Sequence, residues 1–443
     1  MVAALQLVLA AAAGAAAGSL LACLPSLHVY NVMGLAVLGL HAAGLAGHLP
    51  PEWLIGVSAG LMVGYATLNT LPSVLLAAPD ESAMFTVLPG QKYMLQGRGY
   101  EAVMLTTAGG TLALVALLVL VAPLAPVVLP RLSDVLQGHT HWILWCVIAF
   151  MLMSEWPKGG RLGRSHWAKF LDSWKSTGAG LATFLLAGLL GFVLLYRSPI
   201  APRVAFQNLM PAFVGLFAVP WLVVNLSTGL RMPPQTLAVS GRLSADELVR
   251  GTFAGGLGGG FAAYFPVVTG GVGGLLAGHA TALRNDRVFL VSQGASKLVY
   301  YVGALLLFSV PGLHLKRGGG AAMLGGLYQP RTGHDYYAML AGIAVAGVVS
   351  LLLVGPLARL VLAAAGRWGY RRLSAAALVV ILGLAVAITG LTGLLVLVTG
   401  AGIGLVPVLF GSRRMNCLGV ILLPMACNMS GVGPAVASGL GLM

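Results

Sequence analysis

Asp80, Glu81 and Glu101 are three of only 11 acidic residues in the chain, and all three fall between Ala78 and Val103. A carboxylate in apolar surroundings can bind a cation, exchange a proton, or cap the exposed N–H groups at a helix start. His28 titrates near neutrality and suits proton coupling. Lys297 stands about ten residues from either end of an otherwise apolar segment, Val288 to Val310, which is far for its ammonium to reach water. A buried cation there would meet a bound anion, or pair with Asp80 or Glu81. Asn69 and Thr70, just before the acidic turn, complete a polar ring. Asn69, Thr70, Asp80 and Glu81 are therefore candidates for coupling-ion binding or gating.

These residues must be positioned by membrane helices. Of 443 residues 58% are hydrophobic and 8% charged, against about 25% charged in a soluble domain. An apolar helix needs about 20 residues to cross the hydrocarbon core, and the sequence predicts roughly 10–13 membrane segments, some turning back halfway. The expected fold is an all-α polytopic membrane protein. The net charge of +14 fits basic loops on the cytoplasmic side, and no groove interleaves bases and aromatics as nucleic-acid binding requires. One such loop carries Lys158, Arg161, Arg164, Lys169 and Lys175 with Trp156, Trp167 and Trp174; another carries Arg359, Arg367, Arg371 and Arg372. The cysteines, Cys23, Cys146, Cys417 and Cys427, are scattered through apolar segments, so neither a disulfide framework nor a structural metal is expected.

A repeat divides the chain. Laid under Ala245 to Pro266 without gaps, Ala4 to Pro25 agrees at 8 of 22 positions, including Gly14/Gly255, Gly18/Gly259 and Pro25/Pro266. In each copy a glycine-rich helix runs into a proline that must break or kink it, and a polar patch follows. Interrupted apolar segments at matching places in two halves mark a transporter binding site. The reading is two related halves, arranged as inverted repeats, each with a proline-broken re-entrant hairpin. The first half spans 1–175 with its hairpin near Pro25 and a polar turn at 79–101, connecting helices span 176–244, and the second half spans 245–443 with its hairpin near Pro266.

After each proline lie groups that can hold an anion. Ser26, His28 and Asn31 supply side-chain donors in the first half; Thr269, Gly270, Gly271 and Gly273 offer backbone N–H groups in the second. Together with Lys297 they form the candidate substrate-binding set. Close helix packing is the competing explanation for the glycines. No metal-ligand spacing, nucleophile or paired acids suited to catalysis appears, so no catalytic residue, metal or cofactor is assigned and a transporter, not an enzyme, is expected.

Pro72 to Ala83, Thr86 to Gly90 and Gln96 to Val103 together resemble the TctA family of tripartite tricarboxylate transporter permeases. Pro79 and Glu81 match its Pro-Gly-Glu turn, Thr86 and Gly90 its middle element, and Gln96, Gly97, Arg98 and Ala102 the element opening the next helix. Leu24 to His28 is similar to the first hairpin in its archaeal-type form, and Phe265 to Gly274 to the second. Ser26 and Val267 stand where the family has glycine, Asp80 replaces the turn glycine, and Pro89 and Gln91 replace the Asp and Tyr of its Asp-Gly-Tyr element. These departures fall at the presumed site, so the resemblance implies the fold more closely than the substrate.

What it implies is a secondary permease of the cytoplasmic membrane, moving a small organic anion, carboxylate-bearing, with H+ or Na+ coupling. A small membrane subunit and a soluble binding protein are the implied partners, and a homodimer is compatible with the sequence. The hairpins also resemble those of families that translocate polyprenyl-phosphate lipid carriers, in which the cradle would take a phosphate head group.

Overall fold

The computed structural model describes residues 1–443 except 26, 158–164, 202–206, 229–231, 242, 282–284 and 314. Ser26, and Lys158, Arg161 and Arg164 of the first basic loop, thus lie outside the described residues. The described residues are helical throughout their regular structure, and the chain separates into two compact units, residues 1–137 with 225–377 and residues 138–224 with 378–443.

The first unit holds every described candidate residue. It begins with α1 (Val2–Ala22), α2 (Val29–Ala42), α3 (Pro51–Leu68), α4 (Thr70–Leu75), α5 (Val87–Leu95), α6 (Gly99–Ala116) and α7 (Ala125–Leu136). In the second unit, α8 (Thr140–Met153), α9 (His166–Tyr196), α10 (Leu209–Phe213) and the start of α11 (Val219–Thr228) follow. The chain resumes in the first unit with α12 (Ala245–Tyr264), α13 (Gly270–Thr281), α14 (Asp286–Ser309), α15 (Gly318–Leu324) and α16 (Gly333–Trp368). The last helices are α17 (Tyr370–Phe410), broken at Gly390, α18 (Gly419–Met429) and α19 (Gly433–Gly439).

Among the described residues nine helical stretches are long and apolar enough to cross a membrane, or ten if the bent pair ending in α18 and α19 counts as one more. The chain is an all-α polytopic membrane protein. The sequence reading runs slightly higher because it includes Val32–His48 and Leu248–Phe265. The first folds as the 14-residue α2, about 21 Å long at 1.5 Å per residue, short of a hydrocarbon core of about 30 Å. The second folds as α12, glycine-rich and with Asp246, Glu247 and Arg250 in its first turns.

Both repeat prolines fall at breaks. α1 ends at Ala22, two residues before Leu24-Pro25, and α2 starts at Val29; α12 ends at Tyr264 and α13 starts at Gly270. The shared glycines have matching jobs. A Cβ on Gly14 or Gly18 would stand 2.6 or 2.5 Å from the carbonyl oxygens of Val57 and Leu61 on α3, and one on Gly255 or Gly259 would stand 2.3 Å from those of Ser292 and Ser296 on α14. Each long arm therefore packs backbone against backbone on the helix that follows its short arm, as small residues allow in a membrane. The capping box at the start of α12 also forms, with Ser244 and Glu247 exchanging hydrogen bonds.

Candidate functional site

The break after α1 brings His28 to the N-cap of α2, where its Nδ1 accepts from Tyr30 N at 3.1 Å. An accepting Nδ1 carries no proton, which in the neutral ring puts the N–H on Nε2. Nε2 stands 2.9 Å from Tyr301 Oη, 3.4 Å from Glu81 Oε1 and 3.8 Å from Asp80 Oδ2. Tyr30, Tyr65 and Tyr301 close around the imidazole, with ring centroids 4.4, 5.0 and 5.9 Å away. Two spans with no sequence continuity thus meet at one histidine.

Asp80 and Glu81 are adjacent but differently placed. Asp80 Oδ1 accepts from Ser82 N (3.0 Å), Ser82 Oγ (2.8 Å) and Ala83 N (2.9 Å), and Oδ2 from Asn69 Nδ2 (2.6 Å), Tyr65 Oη (2.8 Å) and Tyr301 Oη (3.4 Å). Asp80 thereby ties the acidic turn to α3 and α14. It caps a turn that leads into the 3-10 turn Met84–Thr86. Glu81 is only 5% exposed, and its basic neighbour is His28. Ligand atoms of His28, Asp80 and Glu81 lie within 4.8 Å of one another. Asp80 is thus supplied with six donors, whereas Glu81 Oε1 faces His28 Nε2.

Lys297, 3% exposed on α14, donates to Thr70 Oγ1 at 2.6 Å. Among the described residues no carboxylate lies within ion-pair distance of its Nζ, so the pairing with Asp80 or Glu81 allowed by the sequence is not made. Lys297 and Thr70 line a cavity of about 310 Å³ together with Thr67, Thr106, Thr107 and Thr111. Thr67 donates to Val63 O, and Thr106 and Thr107 to Val103 O, each a carbonyl of its own helix. At its edge stand the exposed side chains Val115, Val348 and Leu351.

The glycines after Pro266 are filled by protein. A Cβ on Gly271 would meet Glu81 O at 2.3 Å, one on Gly270 would meet Ser82 Cβ at 2.9 Å, and one on Gly273 would meet Gly258 O at 2.6 Å. The second break thus packs directly on the acidic turn, and close approach is what these glycines provide here. Thr269 is 5% exposed, and its Oγ1 has no hydrogen-bond partner. Asn31 is buried on the first turn of α2, its N–H bonded to His28 O at 2.9 Å.

Glu101, fully buried, is a bolt at the start of α6. Arg98 grips it through Nε (2.9 Å) and Nη2 (2.8 Å), Ser240 donates through N (3.1 Å) and Oγ (2.6 Å), and Arg287 Nη1 approaches to 3.4 Å. The hydrogen bond to Glu101 raises the pKa of Arg98 above its ordinary value. Sequence reasoning missed Ser240 and Arg287, as well as Tyr65, Tyr301 and Ser82 around Asp80. The signal available was tyrosine at mid-helix, where phenylalanine would bury as well without a hydroxyl to satisfy.

The tripartite tricarboxylate transporter TctA family matches residues 8–419. The chain belongs to that family. It is also similar to an uncharacterized protein of Methanocaldococcus jannaschii, 26% identical over 294 residues, which is 66% of each chain. The chain thus spans about two thirds of the length of that relative. No solved structure matches. TctA is a transporter family, in keeping with the multi-pass helical architecture.

Proposed function

We propose that the protein is a secondary permease of the cytoplasmic membrane that moves a small carboxylate-bearing anion together with H+ or Na+. The observation that carries this reading is Lys297: a buried ammonium without a carboxylate partner, on the wall of a threonine-rich cavity. Burying a charge is costly unless it is compensated, and a substrate carboxylate would supply the missing charge. Thr70 accepts from Lys297 and so keeps its own hydroxyl proton to donate to the same anion. Thr269, with its unpartnered hydroxyl, is a further candidate donor, with Asn31 and the hairpin glycines shaping the surrounding backbone.

Coupling is assigned to the acidic turn. A proton arriving from water would neutralise Glu81 or charge His28, and either event changes the electrostatics at Asp80. Asn69 holds Asp80 and the next residue, Thr70, holds Lys297. In this mechanism the two hairpin halves, inverted with respect to each other, rock around the site. A small membrane subunit and a soluble binding protein, as in tripartite systems, would deliver substrate.

The test is uptake into liposomes of labelled di- and tricarboxylates under imposed pH or Na+ gradients, by the wild type and by Lys297→Met and Glu81→Gln. The proposal expects gradient-driven uptake that Lys297→Met abolishes. Uptake by Lys297→Met equal to wild type would overturn the anion assignment.

A second reading is favoured by one observation, the exposed apolar edge of the cavity at Val115, Val348 and Leu351. A polyprenyl-phosphate carrier could place its head group at Lys297 while its tail remains in lipid. Translocation of a short-chain polyprenyl phosphate in the same liposomes, without carboxylate uptake, would decide for it.

A further inference from the structure

The second basic loop does not spread over the surface. It lines a recess of about 1010 Å³ built from the last turns of α16, the first residues of α17 and the segment from Met232 to Leu237. Arg359, Arg367, Arg371 and Arg372 all contribute to its wall, and all are exposed. Among the described residues none has a carboxylate within ion-pair distance, although Arg98, Arg250, Arg287 and Lys92 of the same unit all do. The contrast matters, because a solvated basic face needs no enclosing walls whereas this one has a floor.

That floor is fixed. Tyr370 is 4% exposed, and its hydroxyl accepts from Gln91 Nε2 at 3.1 Å and Asn225 Nδ2 at 3.5 Å. Gly369 between the two helices takes φ +79°, which turns the chain sharply enough to carry Arg371 and Arg372 back beside Arg367. Trp368, 58% exposed, sits at the same rim. An indole beside arginines where a long apolar helix ends is the arrangement that anchors at the lipid headgroup level.

We propose that this recess is a binding site for a phosphate-bearing anion, presented as the head group of an anionic phospholipid on the cytoplasmic face. Guanidinium groups bind phosphate oxygens in pairs, and basic pockets at the ends of membrane helices select anionic head groups. The exposed apolar residues of the recess, Leu237 and Trp368, suit the first methylenes of the acyl chains. The lipid would bridge α16, α17 and the 232–237 segment.

The test uses the full chain in phosphatidylcholine nanodiscs with and without one fifth phosphatidylglycerol, reading bound lipid after extraction by native mass spectrometry. Inorganic phosphate in phosphatidylcholine nanodiscs is the soluble arm. The triple variant Arg367→Gln, Arg371→Gln, Arg372→Gln removes the charge from the exposed wall without touching a buried group. Wild type is expected to retain phosphatidylglycerol over phosphatidylcholine, and the triple variant to lose at least about tenfold of that preference. Equal retention by both proteins overturns the site. Binding of inorganic phosphate that phosphatidylglycerol does not displace overturns the lipid source. Anion uptake through Lys297 can fail while this preference persists, so the two readings fall separately.

Discussion

Thr70 Oγ1 lies 2.6 Å from Lys297 Nζ, and the residue before it, Asn69, lies 2.6 Å from Asp80 through its own side chain. One peptide bond at the junction of α3 and α4 thus connects a buried cation on a cavity to a buried acidic turn. The two centres therefore share one stretch of backbone, so a shift of Asn69 changes the position of the hydroxyl that holds Lys297.

Lys297→Met separates binding from folding. The substitution removes an ammonium held by one hydroxyl and substitutes an unbranched apolar chain, and replacing a buried charge with apolar volume is often neutral or stabilising. The expected outcome is a thermal midpoint in detergent equal to or above wild type, with anion uptake lost. Thr70→Val should do the opposite to stability: it strands the ammonium without its acceptor, at a cost of about 1–3 kcal/mol. Differential scanning fluorimetry on the two purified variants checks both directions.

The two adjacent acids should respond differently. Asp80 accepts from six groups on three segments, and Asn in its place turns one acceptor oxygen into a donor facing other donors. Asp80→Asn should therefore lower stability by about 2–4 kcal/mol. Glu81→Gln keeps the shape and loses the carboxylate, so the variant should fold as wild type while transport no longer follows an imposed pH gradient. Counterflow exchange, which needs no driving ion, should survive in Glu81→Gln and be lost in Asp80→Asn.

Much of this was legible in the sequence because membrane helices write themselves in long apolar runs, and a proline at the end of a glycine-rich run can mean little else than a break. The breaks at Pro25 and Pro266, and the nearness of Lys297 to Thr70 and of Asn69 to Asp80, are places to which sequence position pointed. The glycines after Pro266 read either as an anion cradle or as close packing, because glycine admits a ligand and a neighbouring chain equally well, and here Glu81 O stands 2.3 Å from where a Cβ on Gly271 would be. Glu101 looked like a helix-start acid, which it is, but its clamp by Arg287 and Ser240 joins residues far apart in sequence that no local pattern relates. The tyrosines around His28 were hidden for the reverse reason, since in an apolar run they pass for packing.

Gly259 and Gly256 offer a controlled pair on one helix. A methyl at Gly259 would stand 2.3 Å from Ser296 O on α14, whereas one at Gly256 meets nothing within 4 Å. Gly259→Ala must push α12 from α14, and overpacking of this kind costs about 1–3 kcal/mol. Gly256→Ala should be stabilising by about 0.5–1 kcal/mol through helix propensity. Comparing their detergent unfolding midpoints tests whether the glycines shared by the repeat are packing positions; equal midpoints would deny it.

Val267, the residue after the second hairpin proline, takes φ +56°. A β-branched side chain in the left-handed region is strained, by about 1–2 kcal/mol for an ordinary residue and more when branched. The TctA pattern has glycine there, and glycine would adopt this backbone freely. Val267→Gly should relieve the strain, less about 0.4–1 kcal/mol for the freer unfolded chain and less the apolar contact of a half-buried valine. The balance predicts an unfolding midpoint at or slightly above that of the wild type. If the strain serves only as tolerated drift, transport by Val267→Gly stays at the wild-type rate. If it keeps the break between α12 and α13 poised against the acidic turn, the variant transports more slowly, because the relaxed break then favours one conformation over its alternative. A loss of stability in Val267→Gly would refute the strain itself.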